Sequence, residues 1–350
     1  VRWDGQRVDG GDGGDGDGAQ GVASPLPGLA LSGLVRSVRT PEFAGVTFHE
    51  VAAKSALNRV PGASRVPFRW TVNPMRGCTH ACTYCFARST HEYLELDAGR
   101  DFETQIVVKT NVVEVLRREL ARPGWRREHV ALGTNTDPYQ RAEGRYRLMP
   151  GILETLVAQR TPVSVLTKGT LLRRDLPLLA EAAREVDVGV AISLAIGDAE
   201  LQQSVETGTP TPQARLALIR AVRDAGLDCG VLVAPVLPWL TDGTEHLDDL
   251  LGRLADAGAT RVTLMPLHLR GPVKPWFLRW LAAEHPRLVA PYRRLYGGSA
   301  YVPREYSRWL ADRSRDLLAR HGLSDGASWR APEAGGRAPE RVPDAQPVLF

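Results

Sequence analysis

The chain has 350 residues, 43% hydrophobic and 24% charged, with a formal net charge of +4 carried almost wholly by arginine. This is ordinary for one large soluble domain or two smaller ones. No apolar run approaches the ~20 residues that span a bilayer, and no secretory leader pattern opens the chain. These features argue against membrane and disulfide-stapled secreted proteins and predict a cytoplasmic setting where thiols stay reduced.

Gly10 to Gly18 reads GGDGGDGDG, too polar and glycine-rich to bury a core, so residues 1–20 are expected to be disordered. Residues 21–65 form a lead-in, and Pro61, Gly62 and Pro67 punctuate entry to the first strand. From there, apolar runs of strand length alternate with helical patterns. Strands are expected near 68–73, 129–134, 162–167, 187–194, 228–235 and 261–267. Helices are expected near 110–121, 150–160, 172–185, 211–225, 245–257 and 273–284. Such βα units with right-handed crossovers predict an α/β fold, a partial (βα)6 TIM-type barrel over residues 66–290. A helical extension at 291–325 and a disordered Pro/Gly/Arg-rich tail at 326–350 complete the domain plan. Arg117, Arg118, Arg122, Arg126 and Arg127 make a local basic run that a solvated helix face explains, since basic charge alone supports only nonspecific phosphate attraction.

Three of the four cysteines, Cys78, Cys82 and Cys85, fall within eight residues at Cys-x3-Cys-x2-Cys spacing. A cubane 4Fe-4S cluster normally takes four thiolates, so three clustered ligands leave one iron open for chemistry. The rival is a zinc site with His80 as fourth ligand, but no second ligand pair follows Cys85, and a chain this long buries enough surface to fold without a metal. A noncatalytic zinc or iron-sulfur scaffold is the alternative function that this rival implies.

The cysteine motif, with Tyr84 before its last cysteine, resembles that of the radical S-adenosylmethionine (SAM) superfamily. Arg76-Gly77-Cys78, Cys85-Phe86-Ala87-Arg88, His91-Glu92-Tyr93, the run Gly133 to Gln140, Thr167-Lys168 and Arg215-Leu216 are similar to the branch related to spore photoproduct lyase. The resemblance implies a radical SAM barrel with a 4Fe-4S cluster on Cys78, Cys82 and Cys85. It also implies SAM at the open iron and reductive cleavage to a 5'-deoxyadenosyl radical, with hydrogen abstraction from an unidentified substrate. An external electron donor of flavodoxin or ferredoxin type follows as a partner, and nucleic acid is a substrate class by fold analogy alone.

By the same resemblance, Lys168 contacts the SAM carboxylate, and Ser193 and Asn135 face SAM. Tyr84 approaches the adenine or shields the cluster, and Arg215 reaches SAM or pairs with a carboxylate. Asp137 and Glu143 read as substrate contacts or loop caps, and Glu206 matches the branch pattern. His268 reads as a general acid or base, or as structural. Cys229, in an apolar strand, reads as core. In the lyase a cysteine after strand two returns a hydrogen atom to the repaired thymine; here that position is Thr134, a far poorer donor. All these polar groups follow the C-terminal ends of predicted strands, where parallel barrels put their chemistry.

Overall fold

The computed structural model describes residues 33–61 and 66–326; of the segments expected to be disordered, 1–20 lies outside the described residues, and so does all of 326–350 except Gly326. Among the described residues twelve strands are present: β1 (Leu34–Val38), β2 (Thr47–Val51), β3 (Leu57–Arg59), β4 (Trp70–Val72), β5 (Met75–Arg76), β6 (Gln105–Lys109), β7 (Val130–Leu132), β8 (Val163–Thr167), β9 (Val188–Ser193), β10 (Cys229–Val236), β11 (Arg261–Pro266) and β12 (Ser324–Asp325).

Eight of them form one sheet in the order β12-β11-β10-β9-β8-β7-β4-β3. From β4 to β11 every neighbouring pair is parallel. The antiparallel β3 covers one edge, and β12 extends the lower half of β11 at the other. The two edges do not pair with each other, so the sheet is a partial barrel with six parallel strands in chain order, as the alternating pattern predicts. Each of the six anticipated strands is found, five within their expected runs and β10 extending one residue further, to Val236. Parallel strands covered on both faces read as continuous apolar segments, and Val130, Ala131 and Leu132 of β7 are all buried.

The six expected helices are found near their ranges, one of them broken, and Arg100–Thr104, Arg141–Tyr146 and Ala199–Val205 are helical without having been anticipated. The helix expected near 172–185 divides: a 3-10 turn, Thr170–Asp175, leads into an α-helix, Leu176–Ala182. Pro177 takes a first-turn position of the second piece, where its missing N–H costs nothing. The helix Pro212–Asp224 begins in the same way, with the Thr211 hydroxyl accepting from Ala214 N and proline in its first turn. Beyond the barrel, helices Val289–Tyr296 and Arg304–Arg320 follow, the latter packing beside Thr244–Asp256 and β11. Among the described residues no helix is long and apolar enough to cross a membrane.

A second sheet, β1-β2-β6-β5, has no counterpart in the sequence reading. Its strand β2 is buried throughout although it carries the polar residues Thr47, His49 and Glu50. Each is satisfied internally: His49 lies between Ser37 Oγ at 2.8 Å and Gln105 Oε1 at 2.9 Å, and Glu50 accepts from Arg36 at 2.7 Å and Tyr146 at 3.0 Å. This sheet matters for the site because β5 runs directly into the cysteine loop and β6 lies beside it.

Gly133 ends β7 with φ +85°, and a Cβ there would stand 1.8 Å from the Leu166 carbonyl oxygen of β8. Gly226 has φ +78° with nothing within 4 Å of a Cβ. Gly226→Ala should therefore cost only the ~1–3 kcal/mol of backbone strain, and Gly133→Ala distinctly more, because two central strands must separate. Urea denaturation of both variants checks this, and equal losses would refute it.

Candidate active site

The loop from Gly77 to Cys85 carries the three cysteines without a ladder of its own. Two short turns close inside it, Ala81 N to Cys78 O at 3.2 Å and Cys85 N to Cys82 O at 3.3 Å. Its other backbone groups are met from outside, as buried peptide groups must be. Cys78 N donates to Phe102 O at 2.9 Å, Thr83 N to Val205 O at 2.9 Å, and Gly208 N to His80 O at 3.0 Å. The fully buried Gln140 accepts from Thr79 N at 2.9 Å and donates to Gly77 O at 3.0 Å. Glycine is required at 208, where a Cβ would lie 2.0 Å from the Thr79 carbonyl oxygen. Gln140 lies in the motif that marks the family resemblance, yet its role as a brace for the loop shows only in three dimensions.

So held, Cys78, Cys82 and Cys85 are free thiols on one wall of a cavity at the C-terminal ends of the barrel strands. With its open mouth the cavity contains about 1020 Å³ of unfilled space, part of it open to solvent. Five of the six parallel strands contribute: Asn135 and Asp137 after β7, Thr167 from β8 and Lys168 just after it, Ser193 from β9, Ala234 and Pro235 from β10, Met265 and His268 from β11 and its following loop. Tyr84 lines it as well. Among the anticipated site residues, Arg215 is set apart behind this wall, and Thr134 is likewise not in the lining.

Arg215 is fully buried and committed to protein partners. It donates to Glu206 at 2.5 Å, to the Ser193 and Pro210 carbonyls at 3.0 Å each, and to Thr209 at 3.1 Å. Of the two roles left open for it, pairing with a carboxylate is the one the fold displays. Glu206 also accepts from the Tyr84 hydroxyl, which fixes the tyrosine ring. Burial alone would raise the Glu206 carboxyl, but Arg215, Lys168 and the Tyr84 hydroxyl hold it below its usual range. Removing either partner of such a buried pair typically costs ~3–5 kcal/mol.

Lys168 has its ammonium 5.7 Å from the Tyr84 ring centroid and no hydrogen bond to that ammonium within the described residues. Burial pulls its pKa down, yet Cys82, Glu206 and Asp137 outweigh this and leave it above the usual lysine value. The Cys82 thiol moves the same way, pushed up by burial against the opposing pull of Lys168. The side chain of Asn135 also makes no hydrogen bond within the described residues, while Asp137 takes the turn-capping role, accepting from Tyr139 N at 2.9 Å. Asp137 accepts further from Thr167 at 2.5 Å and Lys168 N at 2.7 Å, and lies 3.3 Å from His80 Nδ1. Against the cost of burial, His80 brings the Asp137 pKa down to about 2. Glu143 is a cap too, accepting from Leu148 N and Met149 N at 3.0 Å each and from Arg174 at 2.8 Å. Cys229, at the start of β10 and fully buried in the main core, is pushed up to about 12 by burial.

A family model for the radical SAM superfamily matches residues 72–251, just over half of the chain. The chain belongs to the radical SAM superfamily and is an enzyme of that class. The uncharacterized protein Rv2578c of Mycobacterium tuberculosis is 66% identical over 299 residues, covering 85% of this chain and 88% of that protein. MJ0683 of Methanocaldococcus jannaschii is 24% identical over 195 residues, covering 55% and 69%. Among solved structures, a spore photoproduct lyase variant with bound AdoMet and dinucleoside spore photoproduct aligns with TM-score 0.59 at 15% identity, over 78% of this chain and 79% of that one. A spore photoproduct lyase complexed with dinucleoside spore photoproduct gives TM-score 0.56 at 16% identity over the same shares, 78% and 79%. At these identities the likeness is one of fold.

His268 packs edge-on against Tyr301 at 4.8 Å, and burial together with the Arg270 charge lowers its pKa to about 4. It is therefore neutral at pH 7 and has no proton to spare as a general acid there. A depressed histidine pKa contributes stability above its unfolded value of ~6.5, and that contribution is lost as pH falls toward about 4. Imidazole NMR of the metal-free protein should find His268 unprotonated at pH 6, and His268→Gln should flatten the stability slope between those two values. A His268 that titrates near 6.5 would contradict the burial argument.

Proposed function

We propose that Cys78, Cys82 and Cys85 hold a 4Fe-4S cluster by three thiolates and that SAM binds over it in the same cavity. When bound, the two supply a 5'-deoxyadenosyl radical that abstracts hydrogen from the substrate. The observation that carries this reading is the convergence of the three thiols on one wall of a cavity to which five of the six parallel strands contribute.

The donor set fits a cluster better than a single zinc ion. Tetrahedral zinc with ~2.3 Å bonds draws its ligands around one point, whereas each cubane thiolate binds its own iron. Among the described residues no group of three or more His, Cys, Asp or Glu side chains is arranged to hold a single ion. His80, the fourth ligand that a zinc site would use, turns Nδ1 to Asp137 at 3.3 Å.

The rest of the wall suits SAM. Lys168 offers a cation to its carboxylate, Asn135 and Ser193 offer polar groups, and Tyr84 presents a ring fixed through Glu206. Arg215 acts indirectly, fixing the Ser193 carbonyl and Glu206. The mostly apolar far wall, Ala234, Pro235, Met265 and Leu267, excludes water from a reactive intermediate. The electron comes from an external donor of flavodoxin or ferredoxin type, and the substrate is a molecule with an abstractable hydrogen.

Protein reconstituted without oxygen should carry about four irons per chain and release 5'-deoxyadenosine under strong reductant. Alanine at Cys78, Cys82 or Cys85 should abolish both properties, and Cys229→Ala should spare both. Stoichiometric zinc without iron would sink the reading. Lys168→Ala and Ser193→Ala should retain iron but weaken SAM binding roughly tenfold or more, since a charge-assisted hydrogen bond is worth ~1.5–3 kcal/mol; equilibrium binding of SAM reports this. With dinucleoside spore photoproduct the wild type should cleave SAM without completing repair, because Thr134 stands where the lyase resemblance puts a thiol. Multiple-turnover repair would overturn that expectation.

A further inference from the structure

We infer that Arg88 and Glu103 form a positioning pair that fixes the cysteine loop from behind and sets the charge felt by its thiolates; this rests on the cluster reading above. Arg88 follows Cys85 by three residues, and none of its side chain is exposed. Nε donates to the Cys82 carbonyl at 3.0 Å and Nη2 to the Ala81 carbonyl at 3.3 Å, so two consecutive peptide oxygens of the loop are held by one guanidinium. Nη1 donates to the Gly99 carbonyl at 2.7 Å, and Nη2 also meets the Glu103 carboxylate.

The guanidinium lies 5.2 Å from the Phe102 ring centroid and 4.8 Å from that of Trp276. Phe102 in turn accepts from Cys78 N through its own carbonyl at 2.9 Å and packs with Cys78 and Ala87. Gly99 permits the close fit, since a Cβ there would lie 2.4 Å from the Trp276 ring. One side chain thus ties Cys82 directly and Cys78 through its stacking partner.

A buried cation is costly, and an apolar side chain would fill the same space without that cost. What an apolar group cannot do is bring permanent positive charge to the thiols. A fixed cation behind the thiolates favours the more negative, reduced state of a cluster, and the Glu103 carboxylate opposes it. Charge and hydrogen bonding close to the sulfurs are established levers on cluster potential. Lysine, a point charge without the planar fork, does not reproduce both bonds and stack.

The test is a potentiometric titration of the anaerobically reconstituted full chain as wild type, Arg88→Met and Glu103→Gln. The two substitutions break the same ion pair, but the potentials should move oppositely: more negative for Arg88→Met, less negative for Glu103→Gln. A merely structural contact predicts loosening of the same kind in both. Shifts of the same sign, or none, overturn the inference. Should Arg88→Met fail to hold iron, Glu103→Gln decides alone, and an unshifted or more negative potential overturns it. A wild type that takes up no iron instead overturns the cluster reading itself, and the two failures are thereby distinguished.

Discussion

The constraint on which the rest of the structure depends is the supply of partners for the backbone of the cysteine loop. Nine residues, Gly77 to Cys85, cross the top of the barrel outside any strand or helix. Apart from two short turns closed within the loop, its buried N–H and C=O groups find their partners in other parts of the chain, each bond adding ~0.5–1.5 kcal/mol and each unmade one costing ~1–3. The partners come from four places: Gln140 after β7, Phe102 before β6, Arg88 in the turn that follows the loop, and Val205 to Gly208 after the helix Ala199–Val205. Three thiols in a nine-residue loop acquire fixed positions because Gln140, Phe102, Arg88 and the end of the helix Ala199–Val205 each contribute a donor or acceptor at the right place.

Charge is organised under the same rule. Asp137 faces His80, Glu206 faces Arg215, Glu103 faces Arg88, and in each pair at least one member is nearly or wholly buried. Burying such groups carries a desolvation cost that is recovered only when partners and further hydrogen bonds are in place. The pairs form a frame around the cavity. Lys168, by contrast, presents its ammonium to a tyrosine ring and to thiols, so its charge is available to whatever binds there. The distinction between paired and available charge separates residues that shape the site from those that meet ligands, and it assigns Arg215 and Glu206 to the first group.

The fold's main sheet was legible because its strands are buried on both faces. Such strands carry runs of Val, Ile and Leu that no solvent-facing helix tolerates, and each of the six runs became a strand. The second sheet was not legible. β2 buries threonine, histidine and glutamate, which are compatible with a core only because Ser37, Gln105, Arg36 and Tyr146 come within hydrogen-bonding distance. Two of those four lie more than fifty residues away in the chain, and no local pattern encodes a partner at that range. The expected helix at 172–185 broke for a local reason, since Pro177 suits a helix start better than a helix interior.

For the site, the sequence by itself determined the ligand types and their spacing. Cys-x3-Cys-x2-Cys is a covalent fact, and the position of Lys168 and Ser193 at strand ends follows from strand length alone. Only the tertiary structure decided which polar groups meet the cavity and which are consumed in holding it. Arg215 and Lys168 are both cations in the family-like motifs; one is enclosed by Glu206 and three other acceptors, the other is not. Arg88 and Gln140, silent in the sequence as functional residues, became the braces of the loop. The reason is physical: a side chain's chemistry is intrinsic to it, but its availability depends on burial and on partners brought near by chain crossings that the local sequence does not specify.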